Sequence, residues 1–99
     1  MWELIYATSA DKDLDRIKAY DLRQIHDAIM NNLCYEPNVQ TRNRKPLRTT
    51  GASPVDLREV WELRVDKYRV FYRFNADEHV VTILYVRKKP PHFTTEDIL

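Results

Sequence analysis

The side chains with the clearest chemical potential are arginines and lysines, and they concentrate in the second half of the chain. Residues 42–89 hold twelve basic side chains against six acidic ones, a net charge of +6, whereas residues 1–41 hold four against seven, a net charge of −3. The net charge of +1 over all 99 residues conceals this segregation. The asymmetry favours an anionic partner for the second half, although an unevenly charged solvated surface has the same composition.

Two arginines on consecutive predicted strands form a candidate phosphate-binding pair. Segments 60–65 and 68–74 are rich in β-branched and aromatic residues, and only two residues separate them, which indicates a tight hairpin. That register places Arg64 directly opposite Arg69, where two positive charges repel each other. A phosphate between them would remove the repulsion, because guanidinium groups donate paired hydrogen bonds to phosphate oxygens. The alternative is that both arginines extend into water beside Glu62.

The same hairpin register divides the side chains between two faces of a sheet, because successive residues of a strand alternate. One face is predicted to be the core beneath the helices, and the other is predicted to carry the charged groups. The predicted core face consists of Trp61, Leu63, Val65, Tyr68, Val70, Tyr72 and Phe74, and the opposite face of Glu62, Arg64, Arg69, Phe71 and Arg73.

Two helices are predicted upstream of this hairpin. Residues 2–8 are short and rich in strand formers, which indicates an opening β-strand. Ser9 is a potential N-cap for a first amphipathic helix that runs to about Tyr20. A capping-box pattern at Asp21 starts a second helix, which ends before residues 36–37.

The remaining segments complete an α+β arrangement. Residues 37–58 contain four proline or glycine breakers and are predicted to be a loop. The hairpin is followed by a third strand over residues 80–86, which two prolines terminate. Residues 1–99 are therefore predicted to form one α+β domain, in which an N-terminal strand and a two-helix hairpin pack on an antiparallel sheet.

The remaining features favour a cytoplasmic protein without a metal or cofactor. Cys34 is the single cysteine, which excludes an internal disulfide and suits a reducing compartment. The N-terminal segment lacks the pattern of a signal peptide, and no apolar run is long enough to span a membrane. His26 and His79 have no metal-ligand spacing with Cys34. Gly51 is the single glycine, which excludes a glycine-rich phosphate loop.

The sequence resembles the RelE/ParE toxins of type II toxin–antitoxin systems. The segment VWELRVDKYRVFYRF, followed by VVTILYV and basic residues, is similar to the C-terminal sheet of that family, and TRNRKPLR is similar to the basic loop before it. The order of the elements agrees along nearly the whole chain. The resemblance implies a RelE/ParE-like fold and a cognate antitoxin, whose acidic flexible tail folds as it binds the toxin.

In the RNA-cleaving members of the family, a basic sheet grips mRNA in the ribosomal A site and cleaves it. Carried over by this resemblance, the catalytic candidates are Arg64, Arg69, Lys88 or Lys89 after the last strand, and His92 in the tail. Glu62 is added as a candidate base or acid because carboxylates can transfer protons. Basic side chains of the loop and the strands are candidates for contacting the RNA backbone. These are Arg42, Arg44, Lys45, Arg48, Arg73 and Arg87.

The chemistry implied is metal-independent attack of an RNA 2′-hydroxyl on its own neighbouring phosphate. Such a reaction needs a general base, a general acid and cations that stabilise the charge growing on the phosphate. His92 is favoured over Glu62 as the base, because neighbouring arginines stabilise the ionised glutamate. The chain departs from the nuclease pattern in three places. Glu62 stands at the position of a strand lysine, and Lys45 stands at that of a glutamate in the loop before the sheet. The tail tyrosine of many active members is absent, and Phe93 is the aromatic residue near its position. A ParE-like, non-catalytic inhibitor of DNA gyrase and a degenerate antitoxin-binding module therefore remain alternatives.

Overall fold

Both helices lie on one face of a β-sheet in the computed structural model of this chain. The structure describes residues 1–47, 59–91 and 98. Within these residues the elements are β1 (Glu3–Tyr6), α1 (Thr8–Leu14), α2 (Ala19–Leu33), β2 (Arg44–Pro46), β3 (Trp61–Val65), β4 (Tyr68–Asn75) and β5 (Val80–Lys88). The strand order is β1-β5-β4-β3-β2. In the described part of the chain, no helix combines the length and the apolar character that crossing a membrane requires.

The predicted α+β architecture is confirmed, with two differences in the sheet. Strands β3, β4 and β5 form the expected antiparallel meander, but β1 pairs parallel with β5, so the sheet is mixed. The predicted loop over residues 37–58 contains the short strand β2, which pairs with β3. Its sequence, Arg44 to Pro46, has no apolar alternation and is held by its neighbour β3. Pro46 is tolerated because β2 is an edge strand.

Both predicted helices form, but the first is shorter than the sequence indicated. Helix α1 ends at Leu14 rather than near Tyr20, and α2 begins at Ala19. The backbone amide of Ile17 still donates to the carbonyl of Leu14 at 3.1 Å, so a turn joins the two helices. Ile17 in this turn also packs against the core. The helical spacing of apolar residues therefore continues past the end of α1.

The predicted N-caps were wrong, because α1 begins at Thr8 and α2 at Ala19, so both predicted cap residues lie inside a first helical turn. The Ser9 hydroxyl donates to the backbone carbonyl of Leu84 in β5 instead of capping α1. Asp21 lies in the first turn of α2, where its carboxylate accepts a hydrogen bond of 2.8 Å from the Tyr68 hydroxyl. Within the described residues, neither helix has a side-chain hydrogen bond at its N-cap.

The predicted core face is confirmed. Leu63, Val70 and Tyr72 are fully buried in one cluster with Ile25 and Ile29 of α2. Because the hairpin register is the predicted one, the alternate side chains of β3 and β4 lie on the other side of the sheet. We call that side, turned away from the helices, the open face, although Glu62, Arg69 and Phe71 on it are buried.

A β-bulge in β5 determines which of its side chains reach the open face. The register between β4 and β5 shifts at Phe71 and Tyr72, which leaves Leu84 as the extra residue of β5. Alternation reverses beyond the bulge. Tyr85 and Arg87 therefore lie on the open face, opposite their partners in β4.

Candidate functional site

Three arginines lie side by side across the open face. Arg64 of β3 is paired with Arg69 of β4, as predicted, and Arg69 is paired in turn with Arg87 of β5. We call Arg64, Arg69 and Arg87 the arginine row. Neighbouring strands are about 4.8 Å apart, so the row spans about 10 Å across the sheet. Like charges at this spacing destabilise a sheet. Glu62 beside Arg69 and Asp13 beside Arg87 offset part of this repulsion, and a bound anion would relieve more of it.

The hairpin arginine of the row is more enclosed than the sequence indicated. Arg64 is exposed, whereas Arg69 is 8% exposed and donates from Nη1 to the carbonyl oxygens of Asp66 and Tyr68, at 2.7 Å each. Burial, and then the neighbouring Arg64, lower the pKa of Arg69. Arg69 therefore braces the hairpin turn as well as contributing charge, so Arg64 is the better residue for testing function without disturbing the fold.

Glu62 occupies a buried position between two cations. The residue is 4% exposed. Its Oε1 lies 3.5 Å from Nε of Arg69, and its Oε2 lies 3.8 Å from Nζ of Lys45. A carboxylate held in this way is placed to position its cationic neighbours.

Tyr85 is a member of the open face that sequence reasoning missed. It is half-buried, it lies opposite the fully buried Phe71, and Cζ of Arg87 sits 5.0 Å from its ring centroid. Strict alternation along β5 would have placed Tyr85 under the helices, and the bulge reverses that assignment. The one sequence signal was its two-residue spacing from Arg87, which keeps the two side chains on the same face.

Arg44, one of the predicted RNA contacts, lies on the helix side of the sheet, where it is paired with the core residue Leu63. Arg44 is 5% exposed. Its Nη1 donates to the carbonyl of Asn32 at 3.1 Å, and its Nη2 donates to Glu36 at 3.2 Å. A cation at this position adds a hydrogen bond to a carbonyl at the C-terminus of α2 and interacts favourably with the helix dipole. The sheet separates Arg44 from the arginine row, and its hydrogen bonds join β2 to the end of α2.

Replacing Arg44 with alanine is expected to lower the free energy of unfolding by about 2 kcal/mol, because charge-assisted hydrogen bonds to a helix end are lost. Arg42→Ala is the matched control, since Arg42 is exposed in the same segment and should change stability by less than about 0.5 kcal/mol. Urea denaturation of both variants checks the expectation. Equal midpoints for the two variants would show that Arg44 does not hold α2.

The other predicted site residues lie in three places. Lys45 and Arg73 belong to the open face, and Arg42 is exposed just before β2. Lys88 is paired with Tyr68, a core-facing residue, so its position is on the helix side at the end of β5. The backbone amide of Lys89 donates to the carbonyl of Lys67 at 2.7 Å. Arg48 and His92 lie outside the described residues. Among the residues that are described, no cluster of His, Cys, Asp or Glu side chains could hold a metal ion.

Comparison of the sequence with known families matches it to a family of toxins. The profile described as the ParE toxin of the type II toxin–antitoxin system, parDE, matches residues 4–89. The chain belongs to the ParE toxin family. It is therefore a type II toxin of the RelE/ParE group, and the predicted family is confirmed. Comparison with functionally curated proteins gave no match.

Solved structures of this group have the same fold. The toxin–antitoxin complex RelBE2 from Mycobacterium tuberculosis is 26% identical with a TM-score of 0.73, covering 89% of this chain and 98% of that one. The isolated E. coli RelE toxin is 17% identical with a TM-score of 0.70, covering 91% and 86%. The YoeB/ParE toxin from Agrobacterium tumefaciens is 20% identical with a TM-score of 0.64, covering 89% and 99%. Because RelBE2 is among several matching structures that are toxin–antitoxin complexes, these matches support a cognate antitoxin as a partner of this toxin.

Proposed function

We propose that this toxin is a ribosome-dependent mRNA endonuclease acting in the cytoplasm. The observation that carries the proposal is the arginine row on the open face. Three positive charges spaced at the strand separation fit a polyanionic backbone, and their mutual repulsion falls when a phosphate binds between them. Exposed Arg64, at one end of the row, is the residue proposed to contact the phosphate that reacts.

The proposed reaction is an internal transfer on the RNA. The 2′-oxygen forms a bond to the neighbouring phosphorus, and the bond from that phosphorus to the 5′-oxygen breaks. The products are a 2′,3′-cyclic phosphate and a free 5′-hydroxyl. A general base takes the proton of the 2′-hydroxyl, and a general acid protonates the departing 5′-oxygen. His92 is proposed for one of these transfers, because a histidine exchanges protons near neutral pH.

The described residues would stabilise the charge that develops on the phosphate. Arg69 is held by two backbone carbonyls and lies 3.5 Å from Glu62, so its position is set before RNA binds. Fixed cations of this kind stabilise a transition state without reorganising during the reaction. Glu62 is proposed to position Arg69 and Lys45 rather than to act as the base.

Inhibition of DNA gyrase is the second candidate, favoured because the matching family profile is that of ParE toxins. A degenerate module that binds only its antitoxin is the third. The decisive experiment incubates the purified toxin with translating ribosomes and maps the mRNA ends, with a gyrase supercoiling assay in parallel. New ends at A-site codons support the nuclease. Intact mRNA with lost supercoiling supports the gyrase inhibitor. The absence of both effects supports a module that binds only its antitoxin.

The antitoxin is proposed to be acidic in its toxin-binding segment and to fold on contact with the open face. Charge complementarity with the arginine row would speed this association and make it salt-sensitive, because exposed charges are screened over about 8 Å at physiological ionic strength. Co-expression of the adjacent small open reading frame, with one affinity tag, is expected to yield a complex and to restore growth. Failure of that product either to co-purify or to restore growth would argue against the proposed antitoxin.

A further inference from the structure

A second cationic feature lies around the sheet edge from the arginine row, where β5 ends. It is a pocket of about 240 Å³, with Arg16, Arg87 and Lys88 in its lining and with Ile17 and Val86 among its apolar walls. We call it the β5-end pocket. Its volume is below the range of about 300–1,000 Å³ that is usual for sites enclosing a whole small molecule. The pocket therefore suits a single compact group at its mouth.

The lining of the pocket has three cationic side chains and one carboxylate, so its net charge is positive. Asp13 is the carboxylate in its lining, and its Oδ2 accepts from the amide of Val86 at 2.9 Å and from Nε of Arg87 at 3.1 Å. The Asp13 carboxylate is thus bound to β5 of the toxin itself. Arg16 and Lys88 are exposed, and neither forms an ion pair within residues 1–47 and 59–91. The charge of these two side chains is available to an external anion.

Arg87 connects the pocket to the open face. It is the last member of the arginine row, and its guanidinium reaches the sheet edge at Asp13. Strand β1 pairs with β5 only as far as Ile83. Among the described residues, no strand therefore flanks Arg87 on that side, and a chain lying on the row can continue around the edge.

We propose that the β5-end pocket binds a backbone phosphate of the same single-stranded RNA that lies on the arginine row. This inference rests on the proposed function. Arg16 and Lys88 hold the phosphate, and the Nη groups of Arg87 bridge it to the row. Lys88 is accordingly an RNA-anchoring residue and not a participant in proton transfer. The continuity through Arg87 favours RNA over an acidic peptide as the occupant.

The test measures the salt dependence of RNA binding. A short, fluorescently labelled, 2′-O-methylated single-stranded oligoribonucleotide cannot undergo the proposed cleavage, so its anisotropy reports binding alone. Arg16→Gln and Lys88→Gln are each expected to weaken binding several-fold and to reduce the slope of log K against log salt by about 0.7. Arg23→Gln is the matched control, because Arg23 is an exposed arginine of α2 outside the β5-end pocket, and it should change neither quantity.

The outcomes separate this inference from the proposed function. Unchanged affinity and slope in Arg16→Gln and Lys88→Gln, with weakened binding in Arg64→Gln, would overturn the pocket and leave the nuclease standing. Loss of antitoxin affinity with unchanged RNA affinity would identify an acidic peptide as the occupant and overturn the RNA site. A wild-type toxin that neither binds the oligonucleotide nor cleaves mRNA on ribosomes would overturn both proposals.

Discussion

Replacing Arg64 with glutamine is expected to slow mRNA cleavage on ribosomes by about 10²–10³-fold, the usual effect of removing one group that stabilises transition-state charge. Arg64 is exposed and paired directly with Arg69, so its charge opposes that of its neighbour in the free protein. Its removal should therefore leave the melting temperature unchanged or slightly raised. Single-turnover cleavage on stalled ribosomes measures the first effect, and thermal unfolding measures the second.

Arg23→Gln is again the matched control, because it removes an exposed arginine from α2 and should leave cleavage at the wild-type rate. A folded Arg64→Gln variant that cleaves mRNA as fast as this control would remove the arginine row from the mechanism. Arg69 is less informative in this experiment, because it also donates hydrogen bonds to the hairpin turn.

The largest effect on stability is expected for Tyr72→Ala. Tyr72 is fully buried between β4 and the helices, and its hydroxyl donates to the carbonyl of Pro37 at 2.7 Å. Truncating a buried aromatic side chain costs about 3–5 kcal/mol through lost burial and the cavity left behind. This is a large part of the roughly 5–15 kcal/mol that stabilises a typical domain. Urea denaturation should show an earlier midpoint or an unfolded protein.

Tyr72→Phe separates the two contributions of this side chain. It keeps the ring and loses the hydroxyl, so it should cost only about 1–3 kcal/mol for a buried carbonyl left without its donor. Trp61→Ala is a second comparison, expected to cost less than Tyr72→Ala because Trp61 is only half-buried at the margin of the core. Tyr72→Ala as stable as Tyr72→Phe would show that the core does not depend on this ring.

The hairpin of β3 and β4 was predictable from the sequence, because its information is local. Only two residues separate the two strand segments. This short turn sets the register, and alternation then assigns every side chain to a face. The turn forms without glycine, with Asp66 at a φ of 52°, a conformation that aspartate tolerates better than most residues. The confrontation of Arg64 with Arg69 follows from this register alone.

The place of Arg87 in the row was decided only by tertiary structure. Strand β5 is apolar on both faces before its basic end, so its sequence does not show which alternate residues face the helices. The bulge at Leu84 makes that choice, and the carbonyl of Leu84 accepts the hydroxyl of Ser9 from α1. The bulge therefore involves a contact between Ser9 and Leu84, which lie far apart in the sequence.

The position of Arg44 likewise could not be predicted from the sequence. A basic segment between two helices and a sheet reads as a solvent-exposed phosphate grip, and Arg42 and Lys45 are indeed exposed. Arg44 instead points to the C-terminus of α2, where the carbonyl of Asn32 and the carboxylate of Glu36 accept its hydrogen bonds. The sequence by itself determined the fold class, the toxin family and the arginine pair. Which basic side chains join that pair depended on long-range packing, because a guanidinium is stable at the surface or inside according to the acceptors that the fold brings to it.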